Sequence, residues 1–109
     1  MLDSFHMNIE EDNFYDPIVE VGSYLGHFHI GEANRKVPSE KGHIPWETIA
    51  KALHDINYDG TVVMEPFVRM GGGVGSDIKV WRDLSNGATD EDLDISIEES
   101  CKFIKRVFN

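Results

Sequence analysis

Thr61-Val62-Val63-Met64-Glu65-Pro66-Phe67 is the stretch whose reading decides the fold. Four strand-favouring residues, apolar on both faces, run into a carboxylate and a proline. That pattern suits a strand of a parallel sheet covered on both sides. The turn residues Asn57-Tyr58-Asp59-Gly60 stand in front of it,. Further toward the N-terminus, His27-Phe28-His29-Ile30-Gly31 reads as a second short strand. Met1 to Phe5 reads as the tail of a third, with Asp3 and His6 at its rim. Each of the three therefore ends on a side chain that can do chemistry.

Helical patterns separate these strands. Asp16-Pro17 reads as an N-cap followed by proline at the first helical position, where the missing N–H costs nothing,. Ile18, Val21, Gly22 and Leu25 then share a face, and Gly26 is the expected stop,. A polar loop, Glu32 to Lys41, leads to Ile44-Pro45-Trp46. Pro45 starts a helix with Ile49, Ala52, Leu53 and Ile56 as its buried stripe. Beyond Pro66 come the glycine-rich Gly71-Gly72-Gly73-Val74-Gly75 and a short helix expected over Asp77 to Leu84. Thr89 and Asp92 form a capping-box pattern, with Asp replacing the usual Glu or Gln,. The last helix runs to Val107, with Leu93, Ile97, Cys101, Ile104 and Phe108 on one side.

Strand and helix in alternation predict parallel βαβ units with right-handed crossovers. Three parallel strands alone leave two open edges and a poorly covered face. The expected fold class is therefore α/β, with about three βα units forming part of a larger α/β barrel rather than a free-standing domain.

Composition narrows the function. The chain has 109 residues, 40% of them hydrophobic and 28% charged, ordinary proportions for a globular protein,. Its formal charge of −10 argues against nucleic-acid phosphates and against an anionic membrane surface,. No apolar run is long enough to span a bilayer, and the N-terminus lacks a signal-peptide pattern. Cys101 is the single cysteine, so no internal disulfide forms, and a lone thiol fits a reducing cytoplasm,. It falls on the apolar side of the last helix and is expected to pack.

Asp3, His29 and Glu65 each lie at or near the C-terminal end of a predicted parallel strand, the face on which α/β barrels build active sites,. Two hard carboxylates and an imidazole suit Mn²⁺, Co²⁺ or Mg²⁺. Plainer roles are open to each: an N-cap or loop Asp3, a hydrogen-bonded core His29, a Glu65 paired with arginine. His6 can donate to a substrate oxygen or close its loop on a backbone carbonyl. Arg35 can grip vicinal hydroxyls or a carboxylate, or pair with Glu32 or Glu10,. His27 alternates with His29 and points to the same side one layer deeper, and is expected to be a hydrogen-bonded core residue rather than a ligand. The glycine-rich loop lacks the Gly-Lys-Ser/Thr ending of a phosphate loop, and no strand runs into Gly-x-Gly-x-x-Gly. Asp90-Glu91-Asp92 suits a helix start. His43 and His54 have no partner pattern.

With these residues in place, the chain resembles the C-terminal part of a ketose 3-epimerase of the D-tagatose/D-allulose (D-psicose) type. Leu2-Asp3-Ser4-Phe5-His6-Met7-Asn8-Ile9-Glu10-Glu11 is similar to that family's sixth-strand motif, and His27-Phe28-His29-Ile30-Gly31-Glu32-Ala33-Asn34-Arg35 to its seventh. Met64-Glu65-Pro66-Phe67, with Val74-Gly75-Ser76-Asp77 through Trp81-Arg82-Asp83-Leu84, resembles the eighth strand and the loop beyond.

The resemblance implies a xylose-isomerase-like TIM (β/α)8 barrel, a Mn²⁺ or Co²⁺ cofactor (or Mg²⁺), a ketose substrate, and a homodimer or homotetramer. It implies that Asp3, His29 and Glu65 are metal ligands and that Glu65 is also one of two acid/base carboxylates. His6 and Arg35 would then bind substrate oxygens, and Phe67 would wall the sugar pocket. The reaction would invert C3 by proton removal and return through an enediolate. The family's second catalytic Glu, also its fourth ligand, belongs to a fifth strand that these residues lack. A whole barrel takes roughly 250 residues. The expectation is thus that residues 1–109 are strands 6–8 with their helices, from one TIM-barrel domain, and inactive alone. Three alternatives stand beside it. Two are enzymes on the same barrel, a hydroxypyruvate-type isomerase or a metal-dependent endonuclease, the latter disfavoured by the acidic charge. The third is a non-catalytic α/β module that needs a partner chain.

Overall fold

The computed structural model describes all 109 residues, Met1–Asn109. Three strands, β1 (Leu2–Asp3), β2 (His27–Ile30) and β3 (Thr61–Met64), form one parallel sheet in the order β1-β2-β3. The second and third strands begin and end where the sequence pattern places them. Five helices accompany them: α1 (Ser4–Glu10), α2 (Tyr15–Val21), α3 (Trp46–Asp55), α4 (Gly72–Asp77) and α5 (Asp90–Phe108).

Alternation along β2 divides the molecule into two faces. Phe28 and Ile30 are buried against the helices, whereas His27 and His29 point to the opposite side,. In β3, Val62 and Met64 pack on the core while Val63, in register with His29, stays 37% exposed. The expectation of a sheet covered on both faces therefore holds for one face only. On the covered side the core gathers Ile18 of α2, Trp46, Ile49, Ala52 and Leu53 of α3, and Ile104 of α5 around Phe28. Burying side chains of this size contributes about 1.5–3 kcal/mol each.

Several local expectations need correction. The chain leaves β1 after two residues, and Ser4–Glu10 is a helix rather than strand and loop. α2 starts at Tyr15, so Asp16 lies inside the first turn. The N-cap is Phe14, which offers no side-chain bond, and Asn13 Oδ1 just before it accepts from the Asp16 N–H at 2.8 Å. Pro17 is still within the first turn, where no intrahelical donor is lost. The stop is Gly22 rather than Gly26: its φ of 53° breaks the helix into a 3-10 turn, Gly22–Tyr24,.

The expected helix over Asp77 to Leu84 is replaced by α4, formed from the glycine-rich run itself, and by turns after it. Lys79 and Asn86 adopt left-handed φ of 62° and 55°. The Asp83 carboxylate accepts from the Ser85 and Gly87 N–H groups, a local alternative to helical bonding,.

α5 carries the expected capping box. Thr89 accepts from the Asp92 N–H at 3.2 Å, and Asp92 accepts from the Thr89 N–H at 2.9 Å. Ile104 and Phe108 of the expected stripe pack on the core, but the contact face is shifted at the N-terminal end of the helix. Ser100 and Ile104 are buried, Phe103 and Val107 pack on the core, and Ile97 is 40% exposed. Ser100 Oγ donates to the Pro38 carbonyl at 2.7 Å, which ties α5 to the loop after β2. Cys101 is half-buried on this helix and free. No helix is long and apolar enough to cross a membrane.

Candidate metal centre

The uncovered face of the sheet carries the site. Parallel register sets Asp3 beside His29 and His29 beside Val63. Two residues beyond Val63, Glu65 returns to that face, and its N–H reaches the Ile30 carbonyl at 3.4 Å,. Side chains from three strand ends therefore converge without any local sequence motif.

His29 Nδ1 lies 3.8 Å from Asp3 Oδ2 and 3.5 Å from Glu65 Oε2, and the three donor atoms all fall within 4.8 Å of one another. Ligands about 2.1 Å from a common ion stand about 3.0–4.2 Å apart, and both separations from His29 fall in that range. His29 Nδ1 is moreover buried with no hydrogen-bond partner, a costly state for a polar atom unless something else meets it,. A hard divalent cation, met by two carboxylates and one imidazole, fits that donor set.

Asp3 takes the N-cap role and still turns its second carboxylate oxygen toward His29. Its extended backbone makes it the N-cap of α1, with Oδ1 accepting from the Phe5 N–H at 2.8 Å, while Oδ2 faces His29. Capping thereby orients the second oxygen toward the site. Ser4, fully buried, fixes the same junction: its Oγ donates to the Gly31 carbonyl at 2.8 Å and accepts the Gly31 N–H at 2.9 Å.

Arg35 joins the cluster from the loop after β2. Its Nη1 is 4.0 Å from Glu65 Oε2, so the plainer role of Glu65, paired with an arginine, is partly realised. The guanidinium lies 3.6 Å from the Phe5 ring centroid and 5.5 Å from that of Phe67,. Neither Glu32 nor Glu10 pairs with it. His6 is exposed, edge-on to Phe5 at 5.2 Å, and has no hydrogen bond to the triad. His27 packs edge-to-face on His29 at 4.7 Å, but it is only half-buried and makes no side-chain hydrogen bond, so the expected hydrogen-bonded core role is not realised.

Comparison with known proteins decides the family. The profile described as "Xylose isomerase-like TIM barrel" matches residues 1–98. The chain belongs to this family. Among curated relatives it is 61% identical over 107 residues to D-psicose 3-epimerase of Ruminiclostridium cellulolyticum, covering 98% of this chain and 36% of that protein. It is 58% identical to D-psicose 3-epimerase of Agrobacterium fabrum, covering 98% and 37%. The solved structure of D-psicose 3-epimerase with D-tagatose from Clostridium cellulolyticum superposes with a TM-score of 0.96 at 58% identity, covering 99% of this chain and 37% of that one. The chain thus spans little more than a third of the length of these relatives. The resemblance to the C-terminal part of a ketose 3-epimerase and the barrel fold class both stand.

Within this xylose isomerase-like frame, three residues matter that sequence reasoning missed. Ser4 looks like a loop serine, yet a small hydroxyl between two strand ends is where backbone groups need a partner. Phe5 fits a strand end by pattern, and nothing in the sequence marks it as the platform for Arg35. Glu32 suggests only an ion-pair partner. Its buried carboxylate instead accepts from several N–H groups of the following loop, and the later Gly42 and Trp46 are the signals that could have revealed it.

Proposed function

We propose that these residues supply strands six to eight of a barrel that epimerises a ketose at C3, of the D-fructose/D-allulose or D-tagatose/D-sorbose type. The observation that carries this reading is the meeting of Asp3, His29 and Glu65 around the unpartnered His29 Nδ1. High identity to D-psicose 3-epimerases supports the choice of substrate class.

In this reading Asp3, His29 and Glu65 hold a divalent cation, Mn²⁺ or Co²⁺ with Mg²⁺ as the alternative. When bound, it polarises the ketone and so acidifies the neighbouring C–H. Glu65 is the most exposed of the three, at 42%, and is the one free to reach substrate. It exchanges the C3 proton on one face. Removal of that proton leaves an enediolate between C2 and C3, and return of a proton to the opposite face inverts the centre. The second carboxylate and the fourth ligand come from the remainder of the barrel, so the 109-residue chain alone is inactive. Arg35, held over Phe5, and His6 at the exposed rim bind sugar oxygens. Phe67 forms the apolar wall, and the whole assembly is a homodimer or homotetramer.

The test replaces the matching 107 residues of the Ruminiclostridium relative with this chain. The expected outcome is divalent-metal-dependent interconversion of D-fructose and D-psicose. Glu65→Gln in the chimera should lower turnover by about 10²–10⁴, the worth of a positioned acid/base group. A folded chimera that binds Mn²⁺ yet leaves all four ketoses unchanged would refute the assignment.

A further inference from the structure

Glu32 is the buried charged side chain that the candidate metal centre does not use. It is 4% exposed, and no lysine or arginine lies within ion-pair distance. Its carboxylate instead accepts from the N–H groups of Ser39 (2.9 Å), His43 (3.2 Å) and Ile44 (3.4 Å) and from Trp46 Nε1–H (2.8 Å). Four donors on one carboxylate are the arrangement that keeps a buried negative charge in place. The pocket is cut to that group: a Cβ on Gly42 would overlap the carboxylate atoms.

The backbone of the same residue is bonded to Arg35 and Lys36. The Glu32 carbonyl accepts from the Arg35 N–H at 2.9 Å, and the Glu32 N–H donates to the Lys36 carbonyl at 2.8 Å. This closes a tight turn in which Arg35 takes a left-handed φ of 67°, a conformation that non-glycine residues keep only under restraint,. The Arg35 carbonyl in turn accepts from the Phe67 N–H at 3.1 Å. One residue therefore clamps both halves of the loop between β2 and α3: its backbone holds the Arg35 turn, and its side chain holds Ser39 through Trp46 beneath it.

We propose that Glu32 is a positioning residue for Arg35. Its carboxylate presets the guanidinium on the Phe5 ring, facing Glu65, before any ligand arrives. The proposal rests on the reading of Arg35 as the group that meets sugar oxygens, but the positioning can be measured without that reading. Preorganisation of this kind removes the cost of ordering a long cationic side chain at the moment of binding.

The test uses the full chain, an arginine-selective dicarbonyl reagent, and mass spectrometry to follow each arginine. The Arg35 side chain is 16% exposed against 50% for Arg69 and 66% for Arg106, so Arg35 should react slowest. Glu32→Gln sets an amide N–H against N–H donors. It should raise the Arg35 rate about tenfold, the scale of losing one hydrogen bond to a charged group. Arg69 and Arg106 should keep their rates, and Mn²⁺ affinity should be unchanged. An unaltered Arg35 rate overturns the proposal. If every arginine speeds up together, Gly42→Ala, which keeps the carboxylate but displaces it from its donors, is read in the same way. A general loss of protection and of Mn²⁺ binding in both variants also overturns it, since Glu32 would then hold the fold rather than Arg35. Failure of the unaltered chain to bind Mn²⁺ counts against the proposed function, while the Arg35 rates still decide the role of Glu32.

Discussion

A single nitrogen concentrates the chemistry at the residue scale. His29 Nδ1 is walled off from water and faces two carboxylates without forming a hydrogen bond to either. His29→Ala should therefore lower Mn²⁺ affinity by at least about tenfold, the minimum seen even for outer partners of metal sites. Titration calorimetry measures it. Ser4 makes a different prediction. Ser4→Ala leaves the Gly31 N–H and carbonyl without their buried partner, at about 1–3 kcal/mol for each unpaired group,. Urea unfolding should register that loss. Mn²⁺ affinity should fall as well, because the junction that aims Asp3 is loosened. The candidate ligands were legible in the sequence because each lies at or within one residue of the C-terminal end of a strand. The supporting residues were not. A buried Ser or Glu resembles a surface one until the fold supplies its partners.

Capping is most exposed to test at the scale of the element, in α5. The Thr89 N–H, and then its hydroxyl, hold the Asp92 carboxyl below its ordinary value of 3.8. A depressed folded value means that the stabilisation is complete above pH 3.8 and is lost as the pH falls through that lower value,. Amide protection factors in the first turn of α5 should drop across that acidic window, and Asp92→Asn should abolish the dependence. Thr89→Ala should cost about 1 kcal/mol, read by chemical denaturation. The elements also mark where sequence reading succeeds. β2 and β3 were legible to the residue because turn-forming stretches precede them and apolar residues fill them. α1 was hidden because it follows a two-residue strand directly, with Asp3 serving strand, cap and site together. The region from Asp77 to Leu84 failed for another reason: the left-handed Lys79 and the Asp83 carboxylate, bonded to the backbone just beyond it, outcompete a weak helical pattern.

As a whole molecule the chain is a slab, 39 × 27 × 21 Å, rather than a sphere. Its radius of gyration of 14.3 Å exceeds the value of about 13 Å for a compact chain this long,. The sheet has two unpaired edges, β1 and β3, and one bare face bearing Val63 and the candidate metal ligands. Unpaired edges seek pairing. Purified alone, the chain should self-associate in sedimentation experiments; a strictly monomeric species with one cooperative melting transition would contradict this.

The strict alternation of β2 has one more consequence. Because His29 and Ile30 face opposite sides, sliding this strand by one position would put an isoleucine where the imidazole belongs and a histidine into the oily interior. Cation capture and correct strand alignment are thus thermodynamically linked: binding free energy works against the slipped arrangement. On the proposed reading, metal loading would proofread the sheet, and thermal resistance should climb with Mn²⁺ concentration.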